Sequence, residues 1–324
     1  HGKSKEKRND CPLVSLGLIV DSSGFPIASE VFPGNIGEPK TLDDILKKMG
    51  YFEGYLPEMA PVLVMDRGIA TKDNVKLLKD KKLPYILITR GPRNAAYLET
   101  FKNHSSDLEF KSIIRNNKEI RVKKVINSDT GITEVLCVSE GKREKENAIR
   151  RRWTERASED LASLQNSISK GTIKLIDKIW KKIGRLEERY AGLNKYFSID
   201  VVEDTLRSGH ASELKFYEKP VFDIKKYDTN PLNGTYVIET VLNDKSAEDI
   251  WSLYMTLTRV EEAFRCMKSE LGTRPIFHQI ARRTQGHLFV SVLAYHLLIN
   301  IEYKMNKAGD TRRWSKTRKI LSTH

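Results

Sequence analysis

The stretch Tyr254–Lys268, YMTLTRVEEAFRCMK, carries the pattern that decides the fold. Apolar residues recur through it at spacings of three and four, which predicts one amphipathic helix. They are Ile250, Leu253, Tyr254, Leu257, Val260, Phe264, Met267 and Leu271. At about 100° per residue, Glu261 falls inside this apolar arc and Glu262 falls outside it. A carboxylate on an apolar face is costly unless it is paired or binds a metal, so Glu261 is a candidate metal ligand.

A second carboxylate, Asp66, follows a short apolar run. The run Val62–Met65 predicts a central strand buried on both faces, and Gly68 then breaks that strand. Thr71 is placed to cap the next helix, and open α/β sheets bind ligands at the carboxyl ends of their strands. Two hypotheses follow for Asp66. It starts a turn or caps the helix, or it binds a divalent metal together with Glu261.

The spacing in the late helix resembles the signature of bacterial insertion-sequence transposases of the DDE type: Tyr, two residues, Arg, three residues, Glu, six residues, Lys. Tyr254, Leu257, Glu261 and Lys268 occupy these positions. The chain therefore resembles the branch of the family that has an apolar residue at the Arg position. Further stretches resemble the same branch in order and spacing: Gly34–Asn35, Val64–Gly68, Gly234–Thr240, Arg274–His278 and Gly286–His287.

This resemblance implies an α/β fold with a ribonuclease H-like core, interrupted by an insertion domain of strands and helices. We expect the first part of the core in residues 1–92 and the second part in residues 234–324. The insertion domain is expected in residues 93–233, with a helical hairpin at about 143–196. In this family the first core strand carries an Asp in an Asp-x-Thr setting, and Gly2–Asp10 looks like the loop after it. We therefore expect an internal fragment that lacks the first strand, its Asp and an N-terminal DNA-binding domain.

The resemblance implies a DNA transposase that cleaves transposon-end DNA and transfers the cut strand with two Mg²⁺ ions, for which Mn²⁺ can substitute. Asp66 and Glu261 are the expected catalytic metal ligands, with the missing Asp bridging both ions. The ions activate water or a DNA 3′-hydroxyl and stabilise the leaving oxygen. The expected partners are double-stranded transposon-end and target DNA, and a second copy of the chain in a homodimeric DNA complex. No membrane is expected, and the location is the bacterial or archaeal cytoplasm, at the nucleoid.

Candidate DNA contacts lie on the catalytic helix and beyond it. They are Tyr254, Arg265, Lys268, Arg274, His278 and Arg283. The alternative role of Tyr254 is core packing. The alternative role of Lys268 is an ion pair with Glu261. His278 and His287 are nine residues apart, a spacing that fits no compact metal site. We interpret both histidines as helix caps or phosphate contacts.

The insertion carries Arg150, Arg151 and Arg152, followed by Trp153. Basic residues beside an aromatic ring can bind a DNA backbone while the ring stacks on an exposed base. The alternative is a solvated helix face with Trp153 and Trp180 in the buried seam. For Trp180 we predict the seam, and for the three arginines both hypotheses stay open.

Composition agrees with a nucleic-acid partner without proving one. Lys and Arg number 56 against 43 acidic residues, a net charge of +13 that favours phosphate binding. Cys11, Cys137 and Cys266 have neither metal-like nor disulfide-like spacing and are predicted to be free thiols. No apolar run is long enough to span a membrane, and Leu288–Asn300, which contains His296, is predicted to be a buried core helix.

Two alternatives to an active transposase remain. One is a catalytically dead or host-recruited DNA-binding remnant, and the other is a nuclease with the same ribonuclease H-like core. An Asp-x-Thr on an upstream strand would favour an enzyme over a remnant. Asp21 is not a substitute for the missing acid, because Asp21–Gly24 predicts the hairpin turn that joins strands at 13–20 and 27–32.

Overall fold

The computed structural model describes residues 12–48, 61–89, 92–115, 117–219 and 230–322. Within these ranges the chain is a mixed α/β protein with one six-stranded mixed sheet and two two-stranded sheets. It divides into two compact units. The first unit comprises residues 1–93, 122–136 and 237–324, and the second comprises 94–121 and 137–236. The predicted loop at Gly2–Asp10 and Cys11 lie outside the described residues.

The first unit opens with an antiparallel hairpin of β1 (Val14–Val20) and β2 (Pro26–Pro33). The Asp21 carboxylate oxygen Oδ1 accepts hydrogen bonds from the backbone N–H groups of Ser23 and Phe25, both at 2.9 Å. Gly24 has a φ of 96°, which glycine adopts without steric cost. The predicted hairpin turn at Asp21 is thereby confirmed.

A strand–helix–strand segment follows in the first unit. Helix α1 (Leu42–Lys48) precedes β3 (Leu63–Met65), α2 (Lys72–Asp80) and β4 (Tyr85–Ile88). The predicted Thr71 cap is confirmed, because its hydroxyl oxygen accepts from the Asn74 N–H at 3.3 Å. The apolar faces of these elements form one core: Leu42, Leu46, Met65, Leu78, Leu83, Tyr85 and Leu87.

The second unit contains two short helices and two long ones. They are α3 (Pro92–Ala96), which begins at the unit boundary, α4 (Leu98–Lys102), α5 (Glu140–Ser169) and α6 (Ile176–Arg189). Helix α5 ends where Gly171 takes a φ of 70° and its N–H bonds to the Ile168 carbonyl at 2.8 Å. Two helices therefore occupy the stretch in which a helical hairpin is predicted.

A short helix and a strand pair of the second unit pack against those two long helices. After α7 (Leu193–Tyr196) comes an antiparallel pair, β8 (Phe197–Glu203) and β9 (Ala211–Glu218). Their apolar side chains form two cores with α5 and α6. The buried members are Leu164, Ile168, Ile179, Ile183, Ala211 and Leu214 in one, and Ala157, Leu161, Tyr190, Leu193 and Phe197 in the other.

The large sheet adds four strands to β3 and β4: β5 (Lys111–Arg115), β6 (Lys118–Ile126), β7 (Thr133–Ser139) and β10 (Thr235–Thr240). Its order is β3-β4-β10-β7-β6-β5, with β3 parallel to β4 and β10 antiparallel to β4. Among the described strands β3 therefore lies at the edge of the sheet, so the central position predicted for it before Asp66 is not seen among them and stays a prediction. A short apolar run does not reveal how many neighbours a strand has.

The second part of the first unit is helical. Helix α8 (Ala247–Tyr254) packs on β3 and β4, and α9 (Leu257–Ser269) packs on β1. Helix α10 (Ala281–Lys307) packs on β2 and on α9, and α11 (Trp314–Leu321) follows it. A turn at Met255 and Thr256 separates α8 from α9, so the single helix predicted across this region is two helices.

Helix α10 is only partly a core helix. Leu288, Val292 and Tyr295 are buried, and the Tyr295 hydroxyl donates to the Gly24 carbonyl at 3.1 Å. On the opposite side Leu293 and Leu297 are exposed by 49% and 66%, so the prediction of a buried helix holds for one face only. By length and composition this helix could cross a membrane, but core helices of soluble proteins pass the same test.

Two cysteines are free thiols, as predicted. Cys137 on β7 is fully buried and Cys266 on α9 is half-buried. Burial raises the pKa of both thiols, that of Cys266 to about 11. Both side chains are therefore protonated near neutral pH.

Arg93 on α3 and Glu134 on β7, which both belong to the first unit, form a buried ion pair. The Arg93 guanidinium donates to both Glu134 carboxylate oxygens, at 2.7 and 2.6 Å, and the Asn127 amide lies 3.4 Å from one of them. The Glu134 side chain is only 3% exposed, whereas that of Arg93 is 28% exposed. A bidentate pair of this kind compensates a carboxylate that burial would otherwise make costly.

Candidate active site

Asp66 lies directly after β3 and is exposed to solvent. Its Oδ1 atom accepts from the N–H groups of Gly68 and Ile69 at 2.9 and 3.1 Å. Asp66 therefore stabilises the turn after β3, as the first of the two hypotheses predicts. Both bonds use the same oxygen, so within the described chain Oδ2 has no hydrogen-bond donor. Asp66 can hold the turn with one oxygen and offer the other to a ligand.

A further carboxylate, Glu38, approaches the same turn from the segment after β2. A methyl group on Gly68 would lie 3.2 Å from Asp66 Oδ1 and 3.4 Å from Glu38 Oε2. Glu38 is not predicted from the sequence, because it lies nearly thirty residues before Asp66 and no local pattern indicates that the two carboxylates are close. The only local signal is its place just after the Gly34–Asn35 stretch.

Glu261 lies on α9 but does not face the core, so the helical-phase prediction is wrong. The buried residues of α9 are Ala263 and Met267, and Glu261 is turned from Ala263 by about 160° around the axis. The cause is the turn at Met255 and Thr256, since the apolar residues of α8 do not fix the rotation of α9. Glu261 is exposed, and no ion pair or hydrogen bond reaches its carboxylate from any described residue.

Glu262, predicted to face solvent, is the half-buried carboxylate. It accepts from Arg313 at 2.7 Å and from Arg259 at 3.4 Å, and its side chain is 30% exposed. These ion pairs connect α9 to the segment before α11. Glu262 therefore helps to hold α9 in place, whereas the Glu261 carboxylate remains available to a ligand.

The structure does not join Asp66 and Glu261. No hydrogen bond links them, and the described residues contain no group of three or more His, Cys, Asp or Glu side chains that could hold a metal ion. Each is an accessible carboxylate of the kind that hard cations prefer. Their meeting across one metal site stays a prediction.

Basic candidates share the exposed face of α9 with Glu261. Arg265 and Lys268 follow it by one and two turns, and both are exposed. The Lys268 ammonium lies 6.0 Å from the Phe264 ring centroid and forms no ion pair with Glu261. Tyr254, at the end of α8, is half-buried.

The candidates beyond α9 are exposed as well: Arg274, His278 and Arg283. Despite the nine-residue spacing, the rings of His278 and His287 lie in edge contact, with centroids 5.6 Å apart. His287 Nε2 lies 3.3 Å from the Thr273 carbonyl oxygen. Their pairing closes the loop between α9 and α10, an arrangement that sequence spacing alone does not indicate.

The three arginines of α5 have different surroundings. The Arg150 guanidinium lies 4.0 Å from the Tyr196 ring centroid and 5.2 Å from that of Trp153, and it hydrogen-bonds the Tyr196 hydroxyl. Trp153 packs edge-on against Tyr196 and so is not a free base-stacking platform. Arg151 and Arg152 are exposed.

Arg150→Ala is expected to lower the free energy of unfolding by about 1–2 kcal/mol, because it removes a partly buried cation–π contact. Arg152→Ala, the matched control one position beyond Arg151, is expected to change it by less than about 0.5 kcal/mol. Urea unfolding measures both. Equal losses would mean that Arg150 has no special packing role.

Comparison with known families identifies the chain. The family model described as Transposase DDE domain matches residues 1–297. Neither the curated proteins nor the solved structures contain a match. A mixed α/β chain with accessible carboxylates after β3 and on α9 is consistent with a nucleic-acid-cleaving enzyme of this class. The chain belongs to the DDE transposase family, whose members act on DNA in transposition and recombination.

Proposed function

We propose that this protein is the catalytic part of a metal-dependent transposase that cleaves transposon-end DNA and joins it to target DNA. The observation that carries the proposal is the availability of Asp66 and Glu261. Each is exposed and keeps at least one carboxylate oxygen free of described donors. They occupy the positions of the family's second and third catalytic acids.

The donor set fits a hard divalent cation, because Mg²⁺ and Mn²⁺ prefer carboxylate oxygens. Asp66 and Glu261 would hold the ions. When bound, Mg²⁺ lowers the pKa of a water or hydroxyl nucleophile and stabilises the leaving oxygen of an in-line displacement. The backbone N–H groups of Gly68 and Ile69 fix the Asp66 carboxylate, so that its free oxygen keeps one direction. On α9, Arg265 and Lys268 would bind phosphate beside Glu261.

We further propose a ribonuclease H-like core whose first strand, carrying the remaining Asp, pairs between β1 and β3. Two observations support this. Among the described strands β1 pairs only with β2, and β3 pairs only with β4, so each has one unpaired edge. In addition, α8 packs on β3 while α9 packs on β1, so consecutive helices cover both sides of the proposed position. In the active complex we expect a homodimer on DNA.

The test uses the complete open reading frame with its flanking transposon ends. With Mg²⁺ the longer protein is expected to cleave end DNA and to join it to a target. Asp66→Asn should slow cleavage at least about a thousandfold, the factor that about 4 kcal/mol of lost stabilisation gives. Asn can still accept both turn hydrogen bonds, so folding and DNA binding should survive.

The alternatives give different products in the same assay. A DNA-binding remnant would bind the ends without cutting them, and a nuclease would cut without joining. Undiminished cleavage by the Asp66→Asn protein would overturn the assignment of Asp66.

A further inference from the structure

Helix α6 carries a row of cations along one flank, beside the exposed acids Asp177 and Glu188 on its outward side. Its buried residues are Ile179 and Ile183, which pack in the core shared with α5 and β9. Four exposed cations follow one flank of the helix within two turns: Lys178, Lys181, Lys182 and Arg185. At about 1.5 Å per residue they span about 10 Å along the axis. We call these four residues the basic face of α6.

None of these four cations has an ion-pair or hydrogen-bond partner among the described residues. The neighbouring Arg189 differs, because it pairs with Asp160 at 2.9 Å. Elsewhere, exposed cations such as Lys47 and Lys102 lie beside an acid on their own helix. Four adjacent, unpaired cations repel one another and produce a positive potential that an anionic partner would relieve.

Trp180 lies on the opposite flank of α6 from these cations and is 48% exposed, so the prediction that it lies in the buried seam is wrong. The buried arc of α6 is centred on Ile179 and Ile183, and Trp180 is about 100° away from Ile179. Trp153 and Trp314 are half-buried, and Trp251 is 4% exposed. Trp180 is therefore not part of the basic face.

We propose that the basic face of α6 binds the phosphate backbone of duplex DNA. The inference rests on the proposed function, which supplies DNA as the partner. Three of the four cations are lysines, which bind phosphate as point charges without fixed geometry. The contact therefore positions DNA and reads no sequence.

A membrane surface is a poorer partner for α6. Interfacial helices insert their apolar face into the lipid boundary, but the apolar face of α6 is already buried in the second unit. Only Trp180 and Leu175, exposed by 48% and 42%, remain at its surface. Two separated apolar groups offer little area for insertion.

The test replaces the whole basic face with glutamine, as Lys178→Gln, Lys181→Gln, Lys182→Gln and Arg185→Gln in one chain. Duplex binding is measured in EDTA across a salt series, so no catalysis is needed. Each lost phosphate contact reduces the slope of log K against log salt by about 0.9, and four contacts by about 3.6. Between about 50 and 200 mM salt, wild-type affinity should fall roughly a hundredfold more than that of the variant.

The control removes the same charge from cations that are already paired: Lys47→Gln, Lys102→Gln, Lys118→Gln and Arg312→Gln, whose partners are Asp43, Glu99, Glu144 and Asp310. It should leave the salt slope nearly unchanged. The double variants Lys178→Gln/Lys182→Gln and Lys181→Gln/Arg185→Gln should each show about half the effect, which guards against misfolding of the fourfold variant.

The outcomes are separable. A fourfold variant with the wild-type salt slope would overturn the inference and leave the proposed function standing. Loss of binding to phosphatidylserine vesicles, with DNA binding intact, would assign this face to membranes instead. A wild-type chain that binds no DNA at all would contradict the proposed function itself.

Discussion

Glu261→Gln is expected to abolish strand cleavage by the longer protein, whereas Glu262→Gln is expected to keep cleavage within a few-fold of the wild type. Glutamine preserves the size of the side chain but removes the negative charge that a divalent cation requires. Glu261 is exposed and has no described partner, so its replacement should not disturb α9. The loss should therefore appear in the cleavage rate and not in DNA affinity.

Glu262→Gln is the matched control because it removes the same charge one residue later. Its carboxylate pairs with Arg313 and Arg259 and is partly exposed, so the expected loss is at most about 1 kcal/mol of stability. Cleavage of labelled end DNA and thermal unfolding distinguish the two effects. Active Glu261→Gln protein together with inactive Glu262→Gln protein would show that the family alignment selects the wrong carboxylate.

Arg93→Leu is expected to lower the free energy of unfolding by about 3 kcal/mol, the low end of the range for breaking a buried ion pair. The low end applies because Arg93 is 28% exposed, which allows water to compensate part of the loss. Glu134 would remain with its carboxylate 3% exposed and without its guanidinium. Urea unfolding followed by circular dichroism measures the change.

The double variant Arg93→Leu/Glu134→Leu supplies the decisive comparison. It removes the uncompensated charge, so it should be more stable than Arg93→Leu alone. Arg312→Leu, which breaks an exposed pair with Asp310, is the control and should cost at most about 1 kcal/mol. Equal costs for Arg93→Leu and Arg312→Leu would mean that burial of Glu134 does not matter.

Local sequence patterns predicted local structure well. The turn at Asp21 and the cap at Thr71 each depend on residues within four positions, and the structure contains both. The strands β1 and β2 likewise lie where the hairpin is predicted, at 13–20 and 27–32. Such features need only the conformational preferences of a few neighbouring residues.

Predictions that depended on an unbroken helix failed. The phase assigned to Glu261 required one helix from Ile250 to Leu271, and the turn at Met255 and Thr256 removes that continuity. The family resemblance selected Glu261 independently of its phase, so the candidate survives although the physical argument for it was wrong. Trp180 failed for a related reason, because its position at the rim of α6 is decided by packing against other elements.

Contacts between distant segments could not be predicted. Glu38 beside Gly68, the ring contact of His278 with His287 and the pairing of Arg93 with Glu134 all depend on how the chain returns to itself. The number of neighbours of β3 belongs to the same class of information. A single sequence contains propensities and patterns, but it does not contain the register of distant segments.

The edges of β1 and β3 that have no partner among the described strands also have a consequence for the behaviour of the chain in solution. A strand edge exposes a row of backbone N–H and C=O groups to which any extended polypeptide can hydrogen-bond. Proteins usually protect such edges by covering them, twisting them or placing charge on them, because open edges template aggregation. An open edge favours intermolecular β-pairing, and each of these two edges would be satisfied by a strand that completes the sheet. By covering the edges of β1 and β3, the proposed first strand would therefore also protect the chain against self-association.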